Sequence, residues 1–314
     1  VLSSLKSFLD KKYIINCTGS LSQFINVKYD LIHIHGCWKI SLLFYFILSK
    51  IKKLKIVVSP HGMLDPNSIN QKKIIKLIYW HLFQKFIFLF ADQIIVNSVL
   101  EKKKLNKLIK DKNIKVIPHG IELDYKYPLK KNRQKNSFNF VFFSRIHPSK
   151  NLHSIINLWT SDKFFKKLNL TIYGEISDTN YFQKISNQII KFDNINYKGA
   201  LYKNKIKILS NYDIFIFLSK SENFGLVILE ALASGMYIIL SNNLPWKHLN
   251  KFKFASLINY RNNNLKKEIK KITHMKKYIR SVNYQKKTKL FLKKYYDWKD
   301  ISNVYLKIYQ NLIK

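Results

Sequence analysis

Apolar residues follow two alternating rhythms along this chain. Short runs rich in Ile, Val, Phe and Tyr occupy residues 13–16, 30–35, 55–59, 93–97, 115–117, 138–144, 170–174, 195–197, 213–218, 237–240 and 256–258. Between them, apolar positions recur every three or four residues at 40–51, 69–90, 152–159, 181–192, 203–210 and 224–234. The short runs have the length of strands. Several, such as Ile-Val-Val at 56–58 and Ile-Phe-Ile-Phe-Leu at 214–218, show no polar alternation, so both of their faces must be covered. Continuously apolar strands separated by helices predict parallel sheets layered between helices: an α/β, doubly wound class.

The pattern breaks once, at 125–137 (YKYPLKKNRQKNS), and restarts at 138 with a new first strand. The break reads as a linker, giving a first domain over 1–124 and a second over 138–296. The tail from 266 reads as helices, the last over 298–313. A length of 314 residues accommodates two domains.

Composition narrows the classes. The net charge of +38 invites a nucleic-acid partner, but Arg stands only at 133, 145, 261 and 280 against 52 lysines spread along the whole chain. Bidentate phosphate recognition favours Arg in clusters, so a basic nucleic-acid-binding protein is the weaker alternative and no specific nucleic-acid partner is expected. Two cysteines exclude a disulfide framework or a four-thiolate zinc site. No apolar run approaches the roughly 18 residues of a membrane span, and the reading places the protein in the cytoplasm. The stretch 72–91 mixes Lys with Ile, Leu, Trp and Phe, which suits either contact with an anionic membrane surface or a helix whose lysines extend outward from a packed face.

Candidate chemistry collects where strands end. In S-E-N-F-G-L-V-I-L-E (221–230) a polar turn leads into an apolar helix starting near Asn223 or Phe224, and helix N-termini suit pyrophosphate. Glu222 stands at the turn and Glu230 two helical turns on, two of only six glutamates. In S-R-I-H-P-S-K-N (144–151), Arg145 and Lys150 straddle a turn held by Pro148, where two cations would neutralise a diphosphate leaving group. In S-P-H-G (59–62), His61 precedes a glycine that lets backbone approach a ligand. No GxGxxG, no GxxxxGK[ST] and no D-x-D occurs.

These segments together resemble glycosyltransferase family 4, retaining enzymes of the GT-B fold, in which two Rossmann-like domains face each other across a cleft. S-E-N-F-G-L-V-I-L-E-A-L-A-S-G is similar to that family's E-x7-E signature, and S-R-I-H-P-S-K-N to its diphosphate-binding turn. S-P-H-G-M-L-D-P, H-I-H-G-C-W and N-N-L-P-W resemble a subgroup of bacterial surface polysaccharide and lipopolysaccharide assembly. The resemblance implies a nucleotide-sugar donor and a glycan or lipid-linked acceptor. It implies Arg145 and Lys150 on the diphosphate, Glu222 on the donor sugar, Glu230 on the ribose, and the backbone of Asn223, Phe224, Gly225 and Leu226 near sugar and phosphate. His61 would face the transferred sugar, Gly62 would lie on the acceptor side, and Gly174 would line the nucleotide pocket. Neither cofactor nor divalent metal is implied, and the helix over 297–314 would cross back to the first domain. Members of the family usually open with a strand and a glycine loop. This chain opens with VLSSLKSFLD, so a first domain short of its beginning is expected, with an inactive or truncated scaffold as the alternative outcome.

Overall fold

The computed structural model describes residues 21–70, 73–110, 112–123, 138–261 and 264–314. The expected strand at 13–16, the opening helix and the whole of the expected linker lie outside the described residues. The chain divides into two compact units, Val1–Gly120 with Tyr296–Lys314, and Ile121–Tyr295.

The first unit holds four parallel strands, β1 (Leu31–His35), β2 (Lys55–Ser59), β3 (Gln93–Val96) and β4 (Ile114–Val116), in the order β1-β2-β3-β4. Alternation along each strand sends successive side chains to opposite faces. Ile56, Val58, Ile94 and Val96 pack on one face with Phe46, Ile87, Phe88 and Leu105. Val57 and Ile95 point the other way, onto Trp298, Ile301, Tyr305 and Ile308 of the C-terminal helix Trp298–Ile313. Those four residues recur at helical spacing, so the last helix belongs to the first unit by its core. Asp297 caps it, accepting from the Lys299 N–H at 2.9 Å.

The periodic stretch 69–90 is not one helix. It runs as Lys73–Tyr79, a π-turn over Trp80–Gln84 in which the Lys85 N–H donates to the Trp80 carbonyl, and Lys85–Leu89. The wider turn resets the helical phase. Trp80 within it and Ile87 and Phe88 after it are buried, whereas Ile74, Ile75 and Ile78 before it are exposed.

The second unit holds six parallel strands: β5 (Asn139–Phe143), β6 (Asn169–Tyr173), β7 (Ile195–Tyr197), β8 (Ile214–Phe217), β9 (Tyr237–Ser241) and β10 (Ala255–Ile258). Their order is β10-β9-β8-β5-β6-β7, so the chain builds outward from β5 in one direction, then returns to β8 and builds in the other. Strand order reverses between β5 and β8, and in doubly wound sheets the crevice beyond the carboxyl ends of such a pair is where ligands bind. A buried ion pair braces the opposite end of these strands. Arg280 donates to both oxygens of Asp213 at 3.1 and 2.8 Å, and Asp213 Oδ2 accepts from the Asn139 N–H at 3.0 Å.

Candidate functional site

Two sets of side chains gather at strand carboxyl ends, one in each unit. In the second unit, the loop after β5 carries Arg145 and Lys150, and the loop after β8 carries residues 219–225, so both expected motifs meet at the switch point. Lys150 extends inward, 8% exposed, and its ammonium pairs with Glu222 Oε1. It also lies 5.9 Å from the Phe217 ring centroid. Ser219 Oγ is 2.9 Å from the Ser221 carbonyl, 3.2 Å from that of Ser149 and 3.4 Å from Glu222 Oε1. The Lys220 N–H donates to the Ser149 carbonyl at 2.9 Å, tying the two loops backbone to backbone. Arg145 stays exposed and makes no ion pair with a described residue. The two cations therefore stand differently: Lys150 is held by a carboxylate, whereas Arg145 is turned to solvent.

Phe224 is buried, and Gly225 (φ +86°) is the N-cap of the helix Leu226–Ala233, which begins two to three residues later than the sequence pattern suggests. The reason lies in the loop after β9. The Trp246 indole N–H donates to the Phe224 carbonyl and its ring meets the Phe224 ring edge-on at 5.0 Å, while the Asn243 amide donates to the Lys220 carbonyl at 2.5 Å. These contacts hold residues 220–224 in a turn; the Ile228 N–H donates back to the Gly225 carbonyl at 2.9 Å, and the Leu226 and Val227 N–H groups stand at the helix start, where no preceding turn supplies an acceptor. Glu230, in an otherwise apolar helix, is half-buried and accepts from Lys205 at 3.1 Å. Gly174 follows β6 at a close approach: a Cβ there would lie 1.9 Å from the Ser144 carbonyl oxygen, so only glycine fits beside the loop that bears Arg145.

In the first unit, His61 sits in the loop after β2 with φ +50°, a conformation that few side-chain-bearing residues adopt. His33 and His35, two apart on β1, share one face of the strand. His35 Nδ1 lies 2.8 Å from His61 Nε2, and His61 Nδ1 3.0 Å from Asn97 Oδ1. His33 reaches the Tyr309 hydroxyl at 2.6 Å and Ser59 Oγ at 2.9 Å. The rings form a file: His33 lies tilted against His35 at 3.9 Å, and His35 stacks on His61 at 5.1 Å and His61 on His119 at 5.6 Å. Burial and the neighbouring imidazoles lower the His35 and His119 pKa values to about 3. Burial holds His33 well below the ordinary value and lowers His61 despite its bond to Asn97. The stack is therefore neutral at physiological pH. Glu101 fastens it from below, accepting from the Gly62 N–H at 2.5 Å and the Asn97 N–H at 2.8 Å.

Sequence reasoning named His61 and Gly62 alone here. Its partners were signalled by His-x-His on a strand and by a histidine after β4, but pairing between residues 26 to 58 apart has no local signature. Among the described residues, no group of three or more His, Cys, Asp or Glu side chains is arranged to hold a metal, and no helix is long and apolar enough to cross a membrane.

Comparison with known proteins adds to this geometry. Residues 126–306 match the family model described as glycosyl transferases group 1, and residues 7–125 match glycosyltransferase family 4. An uncharacterized 41.2 kDa protein of the cps region of Klebsiella pneumoniae is 27% identical over 228 residues, 68% of this chain and 61% of that protein. The GtfA subunit of the UDP-N-acetylglucosamine–peptide N-acetylglucosaminyltransferase of Streptococcus parasanguinis is 26% identical over 60% of this chain and 37% of its own length. The chain thus spans less than two thirds of these relatives. The Anabaena HepE protein, solved with UDP and glucose, superposes with a TM-score of 0.71 at 18% identity, covering 90% of this chain and 78% of that one. The fold is GT-B: two parallel-sheet α/β domains.

Proposed function

Because the chain belongs to the group 1 and family 4 glycosyltransferases, we infer that it moves a sugar from a nucleotide-diphosphate sugar onto a glycan or lipid-linked acceptor. The observation that carries this reading is the convergence of Lys150, Arg145, Glu222 and the Leu226–Ala233 helix start at the β5/β8 switch point. A diphosphate there would meet the Leu226 and Val227 N–H groups at the helix start and the exposed Arg145, which together stabilise charge developing on the departing phosphate. Glu222, oriented by Lys150 and Ser219, is placed to accept from sugar hydroxyls, and Glu230 to accept from a ribose. The HepE structures with UDP-glucose and the streptococcal relatives named for UDP-N-acetylglucosamine favour a UDP-sugar as donor.

Retention with same-face attack is the mechanism we assign. Two carboxylates that each engage a lysine are poor candidates for the free acid and nucleophile of a retaining glycosidase. Charge neutralisation by side chains and a helix terminus needs no divalent metal. Together with the motif resemblance, the cps-region relative favours surface polysaccharide assembly, and the resemblance alone adds the lipopolysaccharide class. Exposed Ile74, Ile75, Ile78, Leu82 and Phe86, interspersed with Lys73, Lys76 and Lys85, suit the cytoplasmic face of an anionic membrane, where lipid-linked acceptors reside.

A thermal-shift panel of UDP-, GDP- and ADP-sugars tests the reading. A saturable rise in Tm with one nucleotide class supports it, and a folded chain indifferent to all of them contradicts it.

A further inference from the structure

The hydrogen bonds of the first unit's histidines have a direction, and it can be followed atom by atom. The Asn97 amide nitrogen donates to the Ile117 carbonyl at 3.1 Å. Reversing the amide would set two carbonyl oxygens against each other, so Oδ1 is the atom that faces His61. Oδ1 can only accept, and His61 Nδ1, 3.0 Å away, must carry the proton. A neutral imidazole holds one proton, which leaves His61 Nε2 with a lone pair. That lone pair is 2.8 Å from His35 Nδ1, so His35 Nδ1 donates and His35 is itself the Nδ1–H form. The chain of donors ends at His35 Nε2. This atom keeps a lone pair, and no described residue hydrogen-bonds to it.

Much of the local structure serves to hold this arrangement. His35 closes β1, His61 and Asn97 follow β2 and β3, and all lie at the carboxyl edge of a parallel sheet, the edge at which such sheets bind ligands. His61 adopts a left-handed backbone that glycine would adopt more easily, and the Glu101 carboxylate ties its loop to Asn97. The His35 ring is clamped between His33 at 3.9 Å and His61 at 5.1 Å, so its rotamer is set.

We propose that Asn97 and His61 lock the tautomer of His35, and that the lone pair left on His35 Nε2 is the first unit's hydrogen-bond acceptor for a hydroxyl of a sugar substrate. This deepens the reading as a glycosyltransferase and rests on it. A hydroxyl is the group the atom selects. It can donate to the lone pair and it is neutral, whereas a cation would have to give up its hydration to reach a buried ring. Both His61 ring nitrogens are taken up by Asn97 and His35, so His61, expected from the family resemblance to face the sugar, is with Asn97 a positioning residue on this view. His35 makes the contact.

Nitrogen-15 correlation spectra of the full chain, labelled at histidine, test the proposal in two steps. Without ligand, His61 and His35 should both read as Nδ1-protonated neutral rings. An Nε2-protonated ring at either position overturns the lock. UDP, UDP-glucose, UDP-N-acetylglucosamine and the methyl glycosides of the same sugars are then added separately. The His35 Nε2 resonance should move with a sugar-bearing ligand and not with UDP alone. A response to the nucleotide sugar assigns the contact to the donor, and a response to the methyl glycoside assigns it to the acceptor. No response to either, in a chain that calorimetry shows binding the nucleotide sugar, overturns the proposal while leaving the transferase reading intact. Absence of nucleotide-sugar binding would instead count against that reading. In an active preparation, His35→Ala should raise the KM of the sugar it contacts about tenfold with UDP affinity unchanged, and Asn97→Leu should give mixed His61 tautomers.

Discussion

Lys150 and Glu222 stand 72 residues apart in the chain and meet as an ion pair where the strand order of the second unit reverses. Their side chains are about one-tenth exposed, so each charge depends on the other. Lys150→Met leaves a carboxylate without its counter-ion and should cost roughly 3 kcal/mol of unfolding free energy in urea titration. The double variant Lys150→Met, Glu222→Gln should recover most of that stability yet remain inactive in transfer. Recovery of both would make the pair purely structural.

Arg145 is exposed and, among the described residues, makes no ion pair. Arg145→Ala should therefore leave stability within about 0.5 kcal/mol. If Arg145 meets the departing diphosphate, kcat/KM should still fall by about 3 kcal/mol of transition-state stabilisation. Steady-state kinetics beside a melting curve separate the two effects. A normal kcat/KM excludes the role.

The carbonyl of Ser144 stands 1.9 Å from where a Cβ on Gly174 would be. The obstacle is backbone, and no rotamer change relieves it. Gly174→Ala should destabilise the second unit by at least 2 kcal/mol, in the range of core overpacking, and should displace the Arg145 loop. A variant as stable as the parent would show that the loop can yield.

All ten described strands overlap runs legible in the sequence, most plainly the central ones, because a parallel strand buried on both faces writes an unbroken run such as Ile-Val-Val or Ile-Phe-Ile-Phe. The C-terminal helix was equally plain, from Trp298, Ile301, Tyr305 and Ile308 at helical spacing. The motif residues were legible through family resemblance, and the strand order explains why they converge. Their partners were not. Lys205 beneath Glu230, Trp246 on the Phe224 carbonyl and Asn97 on His61 act across loops brought together only by tertiary folding. The π-turn at Trp80–Gln84 was hidden too, because one wider turn shifts the helical phase without breaking the apolar rhythm.

Acid should weaken the first unit through its histidines. His35 and His119 have folded pKa values lowered from 6.5 to about 3. Between those values the unfolded chain binds more protons than the folded one, so stability is unaffected above about pH 7 and falls as pH drops through this window. Each such histidine should lose on the order of 2 kcal/mol by pH 5. Urea midpoints at pH 7.5 and about pH 5 measure it, and His35→Gln should flatten the dependence. Equal midpoints in the parent chain would mean that the stack tolerates charge.

The central claim, that the β5/β8 switch point binds a nucleotide-sugar donor, is tested most directly by titration calorimetry of the best UDP-sugar against the parent chain and Glu230→Ala. Because the Lys205–Glu230 pair is partly exposed, the substitution should change stability by less than about 1 kcal/mol. The account predicts one saturable site in the parent and at least a tenfold weaker one in the variant. Equal affinity in both, or a folded parent chain that binds no nucleotide sugar, would contradict it.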